Sequence, residues 1–351
     1  MTVFAVRGTK AAPTGVRARQ TRRLVLLALC GLAALFVLVT LALTTGQMPL
    51  SASVALRGLV GLGDPGDVLV VQDFRAPRMT AAVVAGIGLG VGGALLQRVF
   101  RNPLASPDVM GVTGGASFGA VVLLATGASQ TLIPVAALGG GMLAALLLGV
   151  FGWRSGLTVT RLVLVGLAVQ AGLAAAVNLM VVRFPAELAG SALQWTTGSL
   201  YGRTWTEVGA AGGATALALF AAFALQRRLA VLDLGDESAG GLGLNPSTAR
   251  LQLLITAIVL ASLAAALTGP VAFVALAVPH LVRFVAGPPT PGTLALTGLT
   301  GAVLLLASDL IVQHLLPVSG LPVGVVTATL GAPWLLALMI RQSRPVNRSA
   351  A

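Results

Sequence analysis

The chain has 351 residues, of which 56% are hydrophobic and only 9% charged, with a mean hydropathy of +0.95. Soluble domains carry about 25% charged residues, so a soluble globular protein is excluded. The net charge of +12 would fit a nucleic-acid partner, but the placement of the basic residues, taken up below, assigns it to membrane orientation.

Residues 1–23 hold six basic side chains and no acid, and read as a cytoplasmic tail. The apolar run Leu24 to Thr44 that follows is too long for the core of a cleaved signal peptide and lacks a clear cleavage site, so it reads as a retained first span. Cys30, the only cysteine, lies in that run, which leaves no disulfide and no thiolate metal site. Apolar stretches of about 18 residues or more read as membrane helices. Ten are predicted, at 24–45, 79–98, 110–128, 132–152, 162–182, 206–226, 251–268, 271–287, 293–314 and 322–340. None shows the period-two alternation of a membrane strand. The expected fold is therefore all-α and polytopic, with a ten-span domain over 24–341 and a second tail over 342–351. The third and eighth spans are short or rich in glycine and proline.

With the N-terminus inside, seventeen of the twenty-two basic residues fall in inside segments and five outside. Every inside loop obeys the positive-inside rule. Both termini are then cytoplasmic, and the basic excess needs no nucleic acid.

Between the first two spans, Gly46 to Arg78 carries three aspartates and three arginines. Arg75 and Arg78 flank Pro77 just outside the second span. They read either as snorkelling anchors or as a docking pair for an acidic partner outside. The second span holds Gly86, Gly88, Gly90, Gly92 and Gly93. A dinucleotide fingerprint would need a strand before it, so these glycines read as a face for close helix packing. The stretch RNPLASPDVMG, Arg101 to Gly111, reads as a tight inside turn in which Asn102 and Asp108 can cap. Outside again, Val182 to Thr206 carries Trp195, Tyr201 and Trp205 and reads as a short interfacial helix.

The longest inside loop contains a polar island, LDLGDESAGGLGLN, Leu232 to Asn245. Asp233, Asp236 and Glu237 are three of the chain's ten acids. Asp236 can cap a short helix that runs from Ser238 to Leu242 and is ended by Gly243, with Glu237 at its positive end. Asn245, Pro246 and Ser247 are expected to open a second short helix before the seventh span. A glycine-rich knob of this kind suits a groove in another protein better than bare solvent. Near the far end of the ninth span sit Asp309 and His314. An intramembrane acid reads as an ion or proton site by default, and a local cap or ion pair is the competing reading.

Lys10 is the only lysine, so no phosphate-binding loop with its lysine exists here. There is no H-E-x-x-H and no acid pair inside a span. The chain carries no catalytic site, and any ATP chemistry belongs to another subunit.

Four segments together carry a resemblance: RAPRMTAAVVAGIGLGVGGALLQRVFRNPLASPDVMG, the island, TGPVAFVALAVPHLVRFVAG and LPVGVVTATLGAPW. The chain resembles FecCD-like permease subunits of type II ABC importers for iron–siderophores, haem and cobalamin. RNPLASPDVMG and GSLYGRTW look most like the second permease of ferric-enterobactin-type systems. The resemblance implies a ten-helix subunit of the bacterial plasma membrane, paired with a second permease, itself a paralogue. Two ATPase subunits would bind ATP and magnesium, and an extracytoplasmic siderophore-binding protein would deliver the cargo. It places binding-protein docking on Arg75 and Arg78. It places ATPase coupling on Asp236, Glu237, Ala239, Gly241, Leu242, Gly243 and Asn245, within helices over about 232–248. A translocation path along the fifth span and the stretch after it would meet Gln170, Asn178 and Trp195. Two places depart from relatives: Gly320 stands where many carry glutamate, and the Gln313–His314 pair stands where some cobalamin-type relatives carry an outer arginine. A haem or cobalamin permease and a proton-coupled carrier using Asp309 and His314 are the alternatives.

Overall fold

The computed structural model describes residues 14–153, 159–316 and 321–343, and all regular structure among them is helical. In chain order the helices are α1 (Thr14–Thr44), α2 (Ala52–Leu59), α3 (Pro65–Leu69), α4 (Ala76–Val99), α5 (Val112–Ala125), α6 (Ile133–Trp153), α7 (Val159–Arg183), α8 (Ala186–Thr197), α9 (Trp205–Ala224), α10 (Gln226–Leu232), α11 (Asp236–Gly241), α12 (Pro246–Thr268), α13 (Val274–Ala286), α14 (Pro291–His314) and α15 (Val323–Ser343). A π-helical turn, Val70–Arg75, joins α3 to α4. Each predicted span coincides with one long helix: α1, α4, α5, α6, α7, α9, α12, α13, α14 and α15. Gly320, the ends of both tails and Arg154 lie outside the described residues.

Seven of the ten are long and apolar enough to cross a membrane; Val112–Ala125, Val274–Ala286 and Val323–Trp334 are shorter. At 1.5 Å per residue, α5 and α13 reach about 20 Å, short of a hydrocarbon core of about 30 Å. Irregular backbone precedes both. Gly111 starts α5 from a left-handed conformation (φ 81°), and Phe273 starts α13 from another (φ 67°). Non-helical chain at membrane depth is tolerated only where protein or a cavity covers it, and both segments line a cavity described below.

The second span is the axis of the bundle. Its glycines meet neighbouring backbones directly. A Cβ built on Gly90 would stand 2.6 Å from the Thr297 carbonyl oxygen of α14. On Gly92 and Gly88 it would stand 3.0 and 3.1 Å from the Ala257 and Leu260 oxygens of α12. Gly86 and Gly93 are tighter still, against Gly301 of α14 and Ala275 of α13. The expected packing face is therefore real, and it serves three partners at once. Leu95, Leu96, Leu253, Leu260, Leu305 and Leu306 fill the space around it and are fully buried. By contrast the most apolar stretch of α1 is uncovered, as a lipid-facing helix requires.

Contacts between helix ends follow the alternation that the charge pattern predicts. Thr45 meets His314, Trp205 meets Gln72 and Arg78 meets Asp309 at one end. Arg98 meets Asp233 and Arg283 meets Gln97 at the other.

Candidate functional site

Three places hold the sequence-predicted residues. The first is the predicted outer end of α4. Here Arg75 donates to the Leu43 carbonyl at 2.6 Å, an acceptor that the end of α1 leaves open, and to the Met48 carbonyl in the loop beyond. Arg78 makes a forked pair with Asp309, Nε to Oδ2 at 3.0 Å and NH2 to Oδ1 at 2.8 Å. Gln313, one turn on, donates to Asp309 Oδ2 at 2.8 Å. The Asp309 side chain is 2% exposed and that of Arg78 23%. Asp309 is thus partnered within the fold, as the local-pair reading has it. His314 hydrogen-bonds Thr45 at 3.0 Å. Both arginines still line a cavity of 360 Å³ closed by Phe74, Tyr201 and Gln313.

The second place is a groove. A cavity of 510 Å³ and one of 200 Å³ share Thr113, Gln170, Thr196 and Pro270 as walls. They run between α5, α7, α8, α15 and the segment before α13. Gln170 Oε1 accepts from the Gly114 N–H at 3.2 Å, and Asn178 lies further along the same groove. Asp108, from the connection before α5, lines it too, facing the Thr113 hydroxyl and the Phe273 N–H. So Asp108 does not cap α5, whose N-cap is Gly111. Trp195 does not join Gln170 and Asn178. It lines a separate cavity of 440 Å³ with Tyr201, Glu207 and Arg203, whose guanidinium carbon sits 5.5 Å from the centre of the indole ring in cation–π geometry. Burial lowers the Arg203 pKa, and Glu207 opposes that shift.

The third place is the polar island. The short helix exists as α11, but it starts at Asp236 with Gly235 as N-cap and no side-chain cap. Asp236 instead pairs with Arg250 of α12 at 2.5 Å, and Asp233 with Arg98 of α4 at 2.5 Å. The second short helix expected after Asn245 does not form separately. The Asn245 carboxamide caps Thr248 N, and α12 runs unbroken for 23 residues from Pro246, because proline at the first position and apolar residues beyond favour one continuous helix. A helix the sequence did not announce, α10, precedes the island. Of the seven expected contact residues, Asp236, Glu237, Gly241, Leu242, Gly243 and Asn245 are exposed. Ala239 is not: it is 0% exposed and packs into the core with Leu253 and Ala249. It seats the helix and offers no outward contact.

Two carboxylates thus turn back to the bundle while apolar groups face out. Leu234 and Leu242 are 62% and 66% exposed. An added Cβ on Gly240 or Gly241 meets nothing within 4 Å, and neither glycine has a positive φ. Glycine inside a helix costs about 1 kcal/mol relative to alanine, and nothing among the described residues requires it at these two positions.

A glycine-packed bundle of membrane helices, with a lateral polar groove and an exposed apolar knob at one end, defines a multi-pass membrane permease. The chain matches the FecCD transport family over residues 34–341 and belongs to it. It is 38% identical over 325 residues to the ferric enterobactin transport system permease protein FepG of Escherichia coli (strain K12), covering 92% of this chain and 98% of that one. It is likewise 38% identical to the achromobactin transport system permease protein CbrC of Dickeya dadantii (strain 3937), covering 86% and 87%. It is 35% identical to the Fe(3+)-citrate import system permease protein YfmE of Bacillus subtilis (strain 168), covering 88% and 93%. Among solved structures it resembles an inward-facing ABC transporter of metal-chelate type, with a TM-score of 0.80 at 27% identity, over 92% of this chain and 99% of that one.

Sequence reading missed residues whose partners lie far along the chain. Arg98 and Arg101 each stand where a span ends, so they read as loop charges. Nothing local in the sequence joins Arg98 to Asp233, 135 positions away.

Proposed function

We propose that this chain is the permease subunit of an ATP-driven importer that carries a ferric siderophore, of catecholate type, into the bacterial cytoplasm. The island end is cytoplasmic, and a second permease, a paralogue, closes the open side of the groove. Two ATPase subunits receive α11. A siderophore-binding protein docks at the Arg75–Arg78 cavity from outside. The observation that carries this reading is the knob itself: Gly240 and Gly241 leave free space beside two exposed leucines. Close approach by another protein's surface explains glycine where internal packing does not. The relatives' named cargoes, enterobactin, achromobactin and ferric citrate, favour an iron chelate over haem or cobalamin. The carrier alternative loses ground because Asp309 is held by Arg78 and Gln313.

The test is transport by the assembled complex in proteoliposomes, with ferric enterobactin, ferric citrate and a ferric hydroxamate compared. Ferric enterobactin should stimulate ATP hydrolysis most and accumulate only with ATP. Accumulation driven by a proton gradient with hydrolysis blocked would overturn the reading.

A further inference from the structure

The island is fastened to the bundle at three points, and two of them lie at the end of α4 or just past it. Arg98, in the last turn of α4, reaches Asp233 at 2.5 Å and the buried Gln226 of α10 at 3.4 Å. Its side chain is only 10% exposed. Arg101, two residues past α4, donates to the Leu232 carbonyl at 2.6 Å. Leu232 is the last residue of α10, and its oxygen accepts from the Gly235 N–H at 3.1 Å as well. Arg101 achieves this from a left-handed backbone (φ 47°), a conformation uncommon for a residue with a side chain and costly enough to need a reason. The third point is Arg250 to Asp236. Beneath these links Leu229 and Leu232 are buried in the core shared by α4 and α12.

We infer that Arg98 and Arg101 are positioning residues that clamp α10–α11 to α4, so that a displacement of the island moves α4 with it. The clamp holds the island both by a carboxylate, at Asp233, and by main chain, at Leu232. From α4 the displacement passes into α12, α13 and α14, because the glycine contacts leave no side chains between them to yield. Gln97, the neighbour of Arg98, strengthens the path to α13, since it donates to the Leu276 carbonyl at 3.0 Å and accepts from Arg283 at 3.3 Å. The turn RNPLASPDVMG thereby has a mechanical task beyond reversing the chain. This inference rests on the reading that α11 meets the ATPase.

An ion pair with one partner 40% exposed contributes little to stability, so its loss should uncouple the machine without unfolding it. The measurement is the number of ATP molecules hydrolysed per chelate imported by the complex in proteoliposomes, alongside co-purification of the ATPase. Asp233→Asn, Arg98→Gln and Arg101→Gln should leave the ATPase bound. They should raise that ratio about fivefold or more, the scale of a typical coupling between sites. The exchange Arg98→Asp with Asp233→Arg should recover part of it. Asp233→Asn changes an exposed side chain, so it reads the clamp even if an Arg98 variant fails to assemble. An unchanged ratio in Asp233→Asn and Arg101→Gln, with the ATPase bound, would overturn the clamp. A separate variant, Gly241→Trp, tests the underlying reading: if the ATPase still co-purifies, α11 is not its contact and both ideas fall together.

Discussion

Arginine meets aspartate at both ends of α4, and the two pairs are built differently. At one end Arg78 grips Asp309 with two hydrogen bonds, and the carboxylate is 2% exposed with Gln313 as a third partner. At the other end Arg98 makes one bond to Asp233, which is 40% exposed and lies on a short helix–turn segment. A buried, fully partnered pair is expensive to open because each charge would be stranded away from water. At the island end the carboxylate reaches water and Arg98, itself 10% exposed, keeps Gln226 as a second partner, so that pair opens at lower cost. One end of α4 is therefore a fixed joint, and the other is a solvent-reachable one that the main-chain bond from Arg101 also holds.

The largest effect that would test this contrast is at the fixed joint. Asp309→Ala leaves the Arg78 charge without its partner, and should cost about 3–5 kcal/mol of stability, seen as a lowered thermal midpoint of the purified subunit in detergent. Full stability with transport abolished would recast Asp309 as a proton carrier. Next comes Gly93→Ala, which drives a methyl into the Ala275 carbonyl and should cost about 1–3 kcal/mol as overpacking. Gly240→Ala in α11, facing open space, should cost nothing and gain up to about 1 kcal/mol. The same melting assay ranks the two glycines, and similar losses for both would erase the distinction between packing glycine and docking glycine. Smallest is Asp233→Asn, expected to shift stability by less than about 1 kcal/mol, with the difference from wild type vanishing in about 1 M salt. A salt-insensitive loss as large as that of Asp309→Ala would mean the two joints are alike.

Much of this was legible in the sequence for definite reasons. Span length and the placement of arginines are one-dimensional signals, and they located the seven span-length helices and the three shorter apolar ones. The alternating glycines of α4 announced close packing because no other role suits small residues in an apolar helix. The island's helix was visible because Gly235 and Gly243 bracket it. What sequence reading missed required the third dimension. Asp309 showed no partner because Arg78 is 231 positions away. Asp236 looked like a cap because the helix start masked its distant option, Arg250. Ala239 looked like part of the knob because a single helical turn does not reveal which face is down. Trp195 stands next to the groove-lining Thr196 in the chain, yet its indole lines the separate cavity with Arg203.

The different joints give α4 a lever's geometry. Arg78 and Arg98 stand 20 residues apart, about 30 Å along the helix axis at 1.5 Å per residue. A rod fixed at Arg78 and pushed at Arg98 pivots. A thrust of about 3 Å at the free end tilts it by about 6° over that length while the fulcrum stays almost still. The helices stacked on its glycines swing with it, whereas α7 and α8, which share no such seam with it, need not. The groove lies along the boundary between these two groups, so a tilt of α4 would be read there as a change of width.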